Sequence, residues 1–240
     1  MLIHTGFDVL AMALSLVATI FVYHWRLGDA ALGLQQGGGG YVAALIIGAV
    51  FGGYGFGTLN LWLSGIDGIG RSIVGAFLGA VIFIEIFKKL RGITGSTGLI
   101  FVVGFSVSVA VGRLGCFFSG LDDQTYGIAG DVPWAVDFGD GMMRHPVQLY
   151  ESLSMVLFAA LAVLLLHRRQ AFFMANGFYL LAIFYGLQRF CWEFLKPYGL
   201  VISSFNIFHF VCGALITYGI WMIFLKKTPK GATKTAQSVP

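Results

Sequence analysis

The sequence predicts an all-α, polytopic membrane protein of seven transmembrane helices, and two features of the 240 residues carry that prediction. Hydrophobic residues make up 58% of the chain and charged residues only 11%, against about 25% charged in a soluble domain. The apolar residues fall into seven long runs, at about 5–25, 42–64, 72–87, 99–118, 147–166, 172–195 and 200–225, and about 20 apolar residues suffice for one helical span. Seven spans with short loops consume the length, so one transmembrane domain is expected over 1–225, with a basic tail at 226–240.

The first run ends in Tyr23-His24-Trp25-Arg26 and lacks the basic n-region and small-residue cleavage site of a signal peptide, so it is read as a retained helix. Leu34-Gln35-Gln36-Gly37-Gly38-Gly39-Gly40 then reads as a flexible connector. Runs two and three are rich in glycine, at Gly48, Gly52, Gly53, Gly55 and Gly57 and then at Gly75 and Gly79 as a G-x-x-x-G. Small residues let helix backbones approach closely in lipid, so this surface is expected to pack helix on helix; a lipid chain or head group lying on it is the alternative. Beyond run seven, Lys226, Lys227, Lys230 and Lys234 mark a solvated tail.

Basic residues set the orientation, because excess Lys and Arg stay cytoplasmic. Arg26, Lys88, Lys89, Arg91, Arg168, Arg169 and the four tail lysines fall on one side; Arg71, Arg144 and Lys196 fall on the other. The N-terminus is therefore expected outside, the C-terminus in the cytoplasm, and the long 119–146 loop outside. The formal net charge of +4 is not gathered on a soluble face, so no nucleic-acid partner is expected. Cys116, Cys191 and Cys212 show no metal-ligand spacing such as C-x-x-C, so neither a disulfide framework nor a zinc site is expected, and no cofactor is implied.

Ionisable residues at membrane depth are costly and mark function by default. Arg113, in Val111-Gly112-Arg113-Leu114-Gly115-Cys116, and Arg189, in Tyr185-Gly186-Leu187-Gln188-Arg189, both sit near the outer end of their helices. Glu193 is one turn beyond Arg189 and Tyr185 one turn before it, so the three share a face. A self-neutralising ion pair is the bland account of Arg189 and Glu193. Two guanidiniums at one depth instead suit a phosphate, which they bind in a planar, bidentate way. Arg144-His145-Pro146-Val147-Gln148-Leu149-Tyr150-Glu151 opens the fifth helix at the same boundary, with His145 expected as N-cap and Pro146 in the first turn. It is either a helix start alone or a site, in which His145 could serve as a general base.

These blocks, together with Tyr126-Gly127, Val132-Pro133-Trp134 and Phe190-Cys191-Trp192-Glu193, resemble the prolipoprotein diacylglyceryl transferase family in order and spacing from about Ser72 to Pro197. The resemblance implies a bacterial inner-membrane enzyme that moves diacylglycerol from phosphatidylglycerol to the lipobox cysteine thiol of an exported prolipoprotein, releasing glycerol phosphate. By motif position it makes Arg113 and Arg189 the essential arginines, supported by Tyr185 and Glu193. Gly112, Gly115, Cys116, Gly127, Gln148, Tyr150 and Glu151 are implied at the substrate site. The chain departs from the pattern where Val74-Gly75-Ala76 stands for a His-Gly-Gly, where Cys116 stands for an Asn, and where Ser119-Gly120-Leu121-Asp122-Asp123 stands for an Asn-Gly-Glu. His145 is the replacement base expected, and Asp122 or Asp123 the replacement acid. A paralogous phospholipid-using transferase with another acceptor, or a non-enzymatic lipid-binding or transport protein on the same bundle, are the alternatives. No internal repeat of a transporter kind is found, and run seven has no lysine for a retinal Schiff base.

Overall fold

The computed structural model describes residues 2–28 and 32–227; of the basic tail expected at 226–240, Lys226 and Lys227 end the last helix and 228–240 lie outside the described residues. Seven α-helices run through them: α1 (Leu2–Val22), α2 (Leu32–Leu63), α3 (Ile73–Arg91), α4 (Val102–Ser119), α5 (Val147–His167), α6 (Ala171–Glu193) and α7 (Ile207–Lys227). Two short antiparallel pairs interrupt the loops, β1 (Val136–Asp137) with β2 (Met143–Arg144) and β3 (Leu200–Ile202) with β4 (Phe205–Asn206). The seventh apolar run therefore opens as a hairpin, and its helix begins only at Ile207.

Among the described residues, six segments are long and apolar enough to cross a membrane: Ile3–Leu27, Gln35–Leu63, Leu99–Asp123, Val147–His167, Ala171–Glu193 and Ile207–Leu225. Helix α3 is the exception, because its last two turns carry Glu85, Lys88, Lys89 and Arg91. It is also among the better-buried helices, with Val74, Phe77, Leu78 and Val81 in the core. Its ends are well defined: the Ser72 hydroxyl accepts from Gly75 N at 3.2 Å, and Gly92 closes the helix in the left-handed region at φ 66°.

The expected connector at 34–40 is helical instead. Helix α2 runs through it with a kink at Gly38, whose φ of 53° and ψ of −143° lie outside the helical region. Only glycine holds such a pair of angles without strain, so the glycine run allows the kink without ending the helix.

Glycine also sets the helix pairings. A methyl group on Gly52 would strike the Gly75 carbonyl, one on Gly79 would strike the Gly48 carbonyl, and one on Gly57 would meet Gly70. Helices α2 and α3 are thus in backbone contact along the G-x-x-x-G seam, as the packing reading expects. Gly115 admits Phe7 of α1 against α4, and Gly219 of α7 would place a Cβ 2.7 Å from the Tyr179 carbonyl of α6. Ser152 of α5 donates to the Ala110 carbonyl of α4 at 2.8 Å.

The arrangement is polar inside and apolar outside. Val9, Met12, Leu16 and Val17 of α1 and Leu153, Val156 and Leu157 of α5 are exposed, while Arg113, Glu151, Arg189, Glu193 and Lys196 are buried. Lipid welcomes exposed leucine and penalises unpaired polar groups, so this inversion fits a bilayer.

Gly52→Leu should force α2 and α3 apart and destabilise the protein by at least about 1–3 kcal/mol, read as a lower unfolding temperature in detergent. Gly55, which faces open space, should accept alanine without such a loss.

Candidate active site

Glu151 sits one turn into α5, where the helix has just left the β2 strand, and its side chain is fully buried. Its carboxylate takes three cations from three other places in the chain. Arg113 Nε of α4 lies 2.6 Å from Oε2, Lys196 Nζ lies 2.6 Å from Oε1, and Arg189 Nη1 of α6 also bonds Oε1. Arg189 turns its other nitrogen, Nη2, to Glu193 Oε1 at 2.6 Å, the i,i+4 pair that the sequence spacing predicts. Glu193 Oε2 accepts from Asn206 Nδ2 at 3.0 Å, and Asn206 Oδ1 accepts from Phe208 N at 2.9 Å at the start of α7. One network therefore ties α4, α5, α6 and α7 together.

Three cations against two carboxylates leave one formal positive charge. Where it faces decides what the site can do. Arg113 and Arg189 line a cavity of about 770 Å³, whose wall does not include Glu151, Glu193 or Lys196. The carboxylates hold the guanidiniums from behind and present them to the cavity, which suits an anion with several oxygens. Lys196, just beyond α6, was grouped with outer-loop charges by sequence; burial and the adjacent Arg189 push its pKa down to about 8. Burial also pushes the Tyr198 hydroxyl up, and Tyr198 joins the cavity wall.

The other side of the cavity is formed by α1, α2 and the loop after α4. His4 stands there with Nδ1 at 2.9 Å from Asp8 Oδ2 and Nε2 at 2.8 Å from Asp123 Oδ1. Cys116 Sγ lies 3.8 Å from His4 Nε2 and accepts from Arg113 Nη1 at 3.8 Å. A second, mainly apolar cavity lined by Phe77, Val81, Ile84 and Phe105 shares Ala49, Ile73 and Ala76 with the first.

Several expected site residues lie elsewhere. His145 is not the N-cap of α5: Pro146 holds that position, and His145 continues the β2 strand, its N–H bonding the Ile128 carbonyl at 3.1 Å. Its ring packs against Gly130, with Nδ1 3.3 Å from the Tyr150 hydroxyl, and it takes no part in the cavity wall. Tyr150 in turn accepts from Trp134 Nε1 at 2.6 Å. The β1–β2 loop pulls the histidine outward, which the helix-start pattern alone did not reveal. Tyr185 is buried edge-on against Phe77 and Phe105, with centroids 5.8 and 5.2 Å away, and its hydroxyl has no hydrogen-bond partner among the described residues. The buried amide of Gln148 is likewise without one.

The glycines divide. Gly112 lines the cavity with open space above it, Gly115 serves the α1–α4 contact, and Gly127 makes room for the His145 carbonyl and Val147. Sequence reading missed His4 as part of this site. Lys196 carried a usable signal, three residues after Glu193; His4 carried none, being far from every partner except Asp8.

Replacing Glu151 with Gln should cost about 3–5 kcal/mol, because it strands buried cations that lose their shared anion. Unfolding of the detergent-solubilised variant at a markedly lower temperature than the parent would register it.

Comparison with known proteins gives the family. Residues 10–225 match the family described as prolipoprotein diacylglyceryl transferase. Proteins named phosphatidylglycerol–prolipoprotein diacylglyceryl transferase are similar to the chain: that of Finegoldia magna is 32% identical over 158 residues, covering 65% of this chain and 61% of that protein. The Methylobacillus flagellatus protein is 31% identical over 166 residues, with the same two shares, and the Geobacter sulfurreducens protein 35% over 127 residues, 50% of this chain and 45% of that protein. The chain thus matches about three fifths of the length of the first of these relatives or less. No solved structure matches. The family match runs from within α1 nearly to the end of α7, a range that includes Arg113, Glu151, Arg189, Glu193 and Lys196, and the chain belongs to the prolipoprotein diacylglyceryl transferase family.

Proposed function

We propose that this chain transfers the diacylglyceryl group of phosphatidylglycerol to the cysteine thiol of a prolipoprotein and releases glycerol phosphate. The observation that carries the reading is the pair of guanidiniums, Arg113 and Arg189, held on one carboxylate and turned toward one cavity. The leaving group is a phosphate ester. As its bond to the glyceryl carbon breaks, negative charge gathers on the phosphate oxygens, and fixed cations stabilise it without having to reorganise. The adjoining apolar cavity suits the acyl chains of the same lipid.

In this reading Arg113 and Arg189 touch the phosphate, while Glu151, Glu193 and Lys196 position them. Tyr185 supports Arg189 by packing along α6, Gly112 and Cys116 line the substrate region, and Gln148 and Tyr150 stand behind its wall on α5. Gly115 and Gly127 shape it through close packing. The acceptor is an exported prolipoprotein carrying a lipobox cysteine.

The same reading places the protein in the bacterial inner membrane as a single seven-span domain over 1–225, N-terminus outside, with α3 as the seventh span and 226–240 as a cytoplasmic tail. The basic ends support it. Arg26 Nη2 lies 3.5 Å from His167 Nδ1, beside Arg168 and Arg169, so these charges share one end of the bundle; Arg71 lies at the other, 3.7 Å from Asp8.

Transfer of diacylglycerol from phosphatidylglycerol vesicles to a lipobox peptide is the direct test, and release of glycerol phosphate without thioether formation would overturn the acceptor. Arg189→Lys should lose activity nearly as far as Arg189→Ala, by about 10–100-fold, because an ammonium keeps the charge but not the planar fork. His145→Gln, away from the cavity, should stay within about threefold of the parent in the same assay.

Affinity for phosphatidylglycerol should depend on pH through Lys196. Below about 8 the ammonium adds to the positive field; above it the charge is lost. Binding should therefore weaken by about fivefold between pH 7 and 9, the effect of roughly 1 kcal/mol from a nearby unit charge. The step should vanish in Lys196→Met, with lipid binding followed by tryptophan fluorescence.

A further inference from the structure

We propose that His4, Cys116 and Asp123 form a binding site for a zinc-class divalent ion at the cavity wall, and that its open coordination position takes the acceptor thiolate. The second half rests on the transferase reading; the first stands on the donors alone.

The donors come from α1, from α4 and from the turn after α4. His4 Nε2, Cys116 Sγ and a carboxylate oxygen of Asp123 all lie within 4.8 Å of one another. The nitrogen–oxygen pair is 2.8 Å apart and the nitrogen–sulfur pair 3.8 Å. Tetrahedral zinc holds nitrogen and oxygen at about 2.0–2.2 Å and sulfur at about 2.3 Å, which spaces its donors about 3.3–3.7 Å apart. Rotation of the His4 and Asp123 side chains about their Cα–Cβ bonds is what would bring the nitrogen–oxygen pair out to that spacing and the sulfur in to it. One nitrogen, one sulfur and one oxygen donor suit zinc better than magnesium or calcium, which prefer oxygen throughout.

The outer contacts are those a ligating set needs. Asp8 Oδ2 lies 2.9 Å from His4 Nδ1, so a carboxylate orients the imidazole and leaves Nε2 to the metal. Thr125 donates its hydroxyl to the second oxygen of Asp123, and Arg113 Nη1 donates to Cys116 Sγ. Zinc with one thiolate and one carboxylate carries no net charge, so it does not repel the neighbouring Arg113. All three donors line the cavity that Arg113 and Arg189 line. His4 and Asp8 both precede residue 10, where the family match begins.

Three protein ligands leave a fourth position toward the cavity, the arrangement of a reactive rather than a structural zinc. A thiol that binds there gives its proton to cavity water and becomes thiolate. Its sulfur then attacks the glyceryl carbon: the C–S bond forms, the C–O bond to phosphate breaks, and the electron pair stays on the phosphate oxygen beside the guanidiniums. No oxidant and no protein base is required. The metal thus performs the deprotonation for which Val74 cannot substitute and from which His145 is turned away.

The test uses the detergent-purified full chain with zinc alone or cobalt(II) alone. One zinc per chain should remain after dialysis, and cobalt should give a thiolate-to-metal charge-transfer band. The band should disappear in Cys116→Ser, zinc retention should be lost in His4→Ala and Asp123→Ala, and Asp8→Asn should weaken binding by about 10–100-fold. Lipobox peptide should shift the cobalt spectrum and its Cys→Ser analogue should not. A parent protein that still binds phosphatidylglycerol yet retains no zinc and gives no cobalt band overturns the site. Full transfer by chelator-stripped protein overturns the metal's role and leaves the transferase reading intact. Zinc bound as described, in a protein that transfers nothing to the peptide, overturns the transferase reading and leaves the site.

Discussion

A single buried carboxylate organises this molecule. Glu151 has no exposed surface, and it neutralises charge arriving from α4, α6 and the segment after α6. Ionised groups in a low-dielectric interior persist only when their charge is balanced and their hydrogen bonds are met. The three cations cannot be buried without Glu151, and Glu151 cannot be buried without them. The Glu193–Asn206 link extends the same dependence to α7. The balance is nevertheless incomplete by one positive charge, and the two guanidiniums of the network are the groups that it turns to the cavity.

The network demands helices held in close register, and the glycine seams provide it. In lipid the hydrophobic effect gives little reason for helices to associate, so packing and polar contacts must supply it. Backbone contact of Gly52 and Gly75, and of Gly48 and Gly79, fixes α2 on α3, whose neighbouring Ala49, Gly53 and Ala76 line the cavity. The exposed valines, leucines and methionine of α1 and α5 then present an apolar exterior, as a helix able to cross a membrane requires. Charge inside and hydrocarbon outside are two consequences of the same solvent.

Arg113 and Arg189 were legible because a membrane sequence tolerates few charges, and each one at depth stands out against its neighbours. The i,i+4 pairing of Arg189 with Glu193 was legible because helical spacing alone settles it. Glu151 was visible as a polar residue near a helix start, but its role as the shared counter-ion was not, since its partners lie 38 and more residues away in two directions. His145 misled for a related reason. Its neighbours Pro146 and Val147 promised a helix start, whereas the two-stranded loop before them draws the ring toward Tyr150 and Gly130. The glycine run at 37–40 misled too, because a helix braced by neighbours can absorb one kinked residue that an isolated helix would not.

By itself the sequence determined the helical membrane architecture, the basic asymmetry of its ends, the glycine seam and the presence of two arginines within apolar runs, because composition, 3.6-residue periodicity and local spacing are properties of neighbouring residues. The tertiary structure decided which charges meet. It brought Lys196 under Glu151, set the guanidiniums toward the cavity and the carboxylates behind them, and placed His4 beside Cys116 and Asp123, 112 residues from the first of these. Such contacts depend on how helices are stacked and turned about their axes, and no window of neighbouring residues records that.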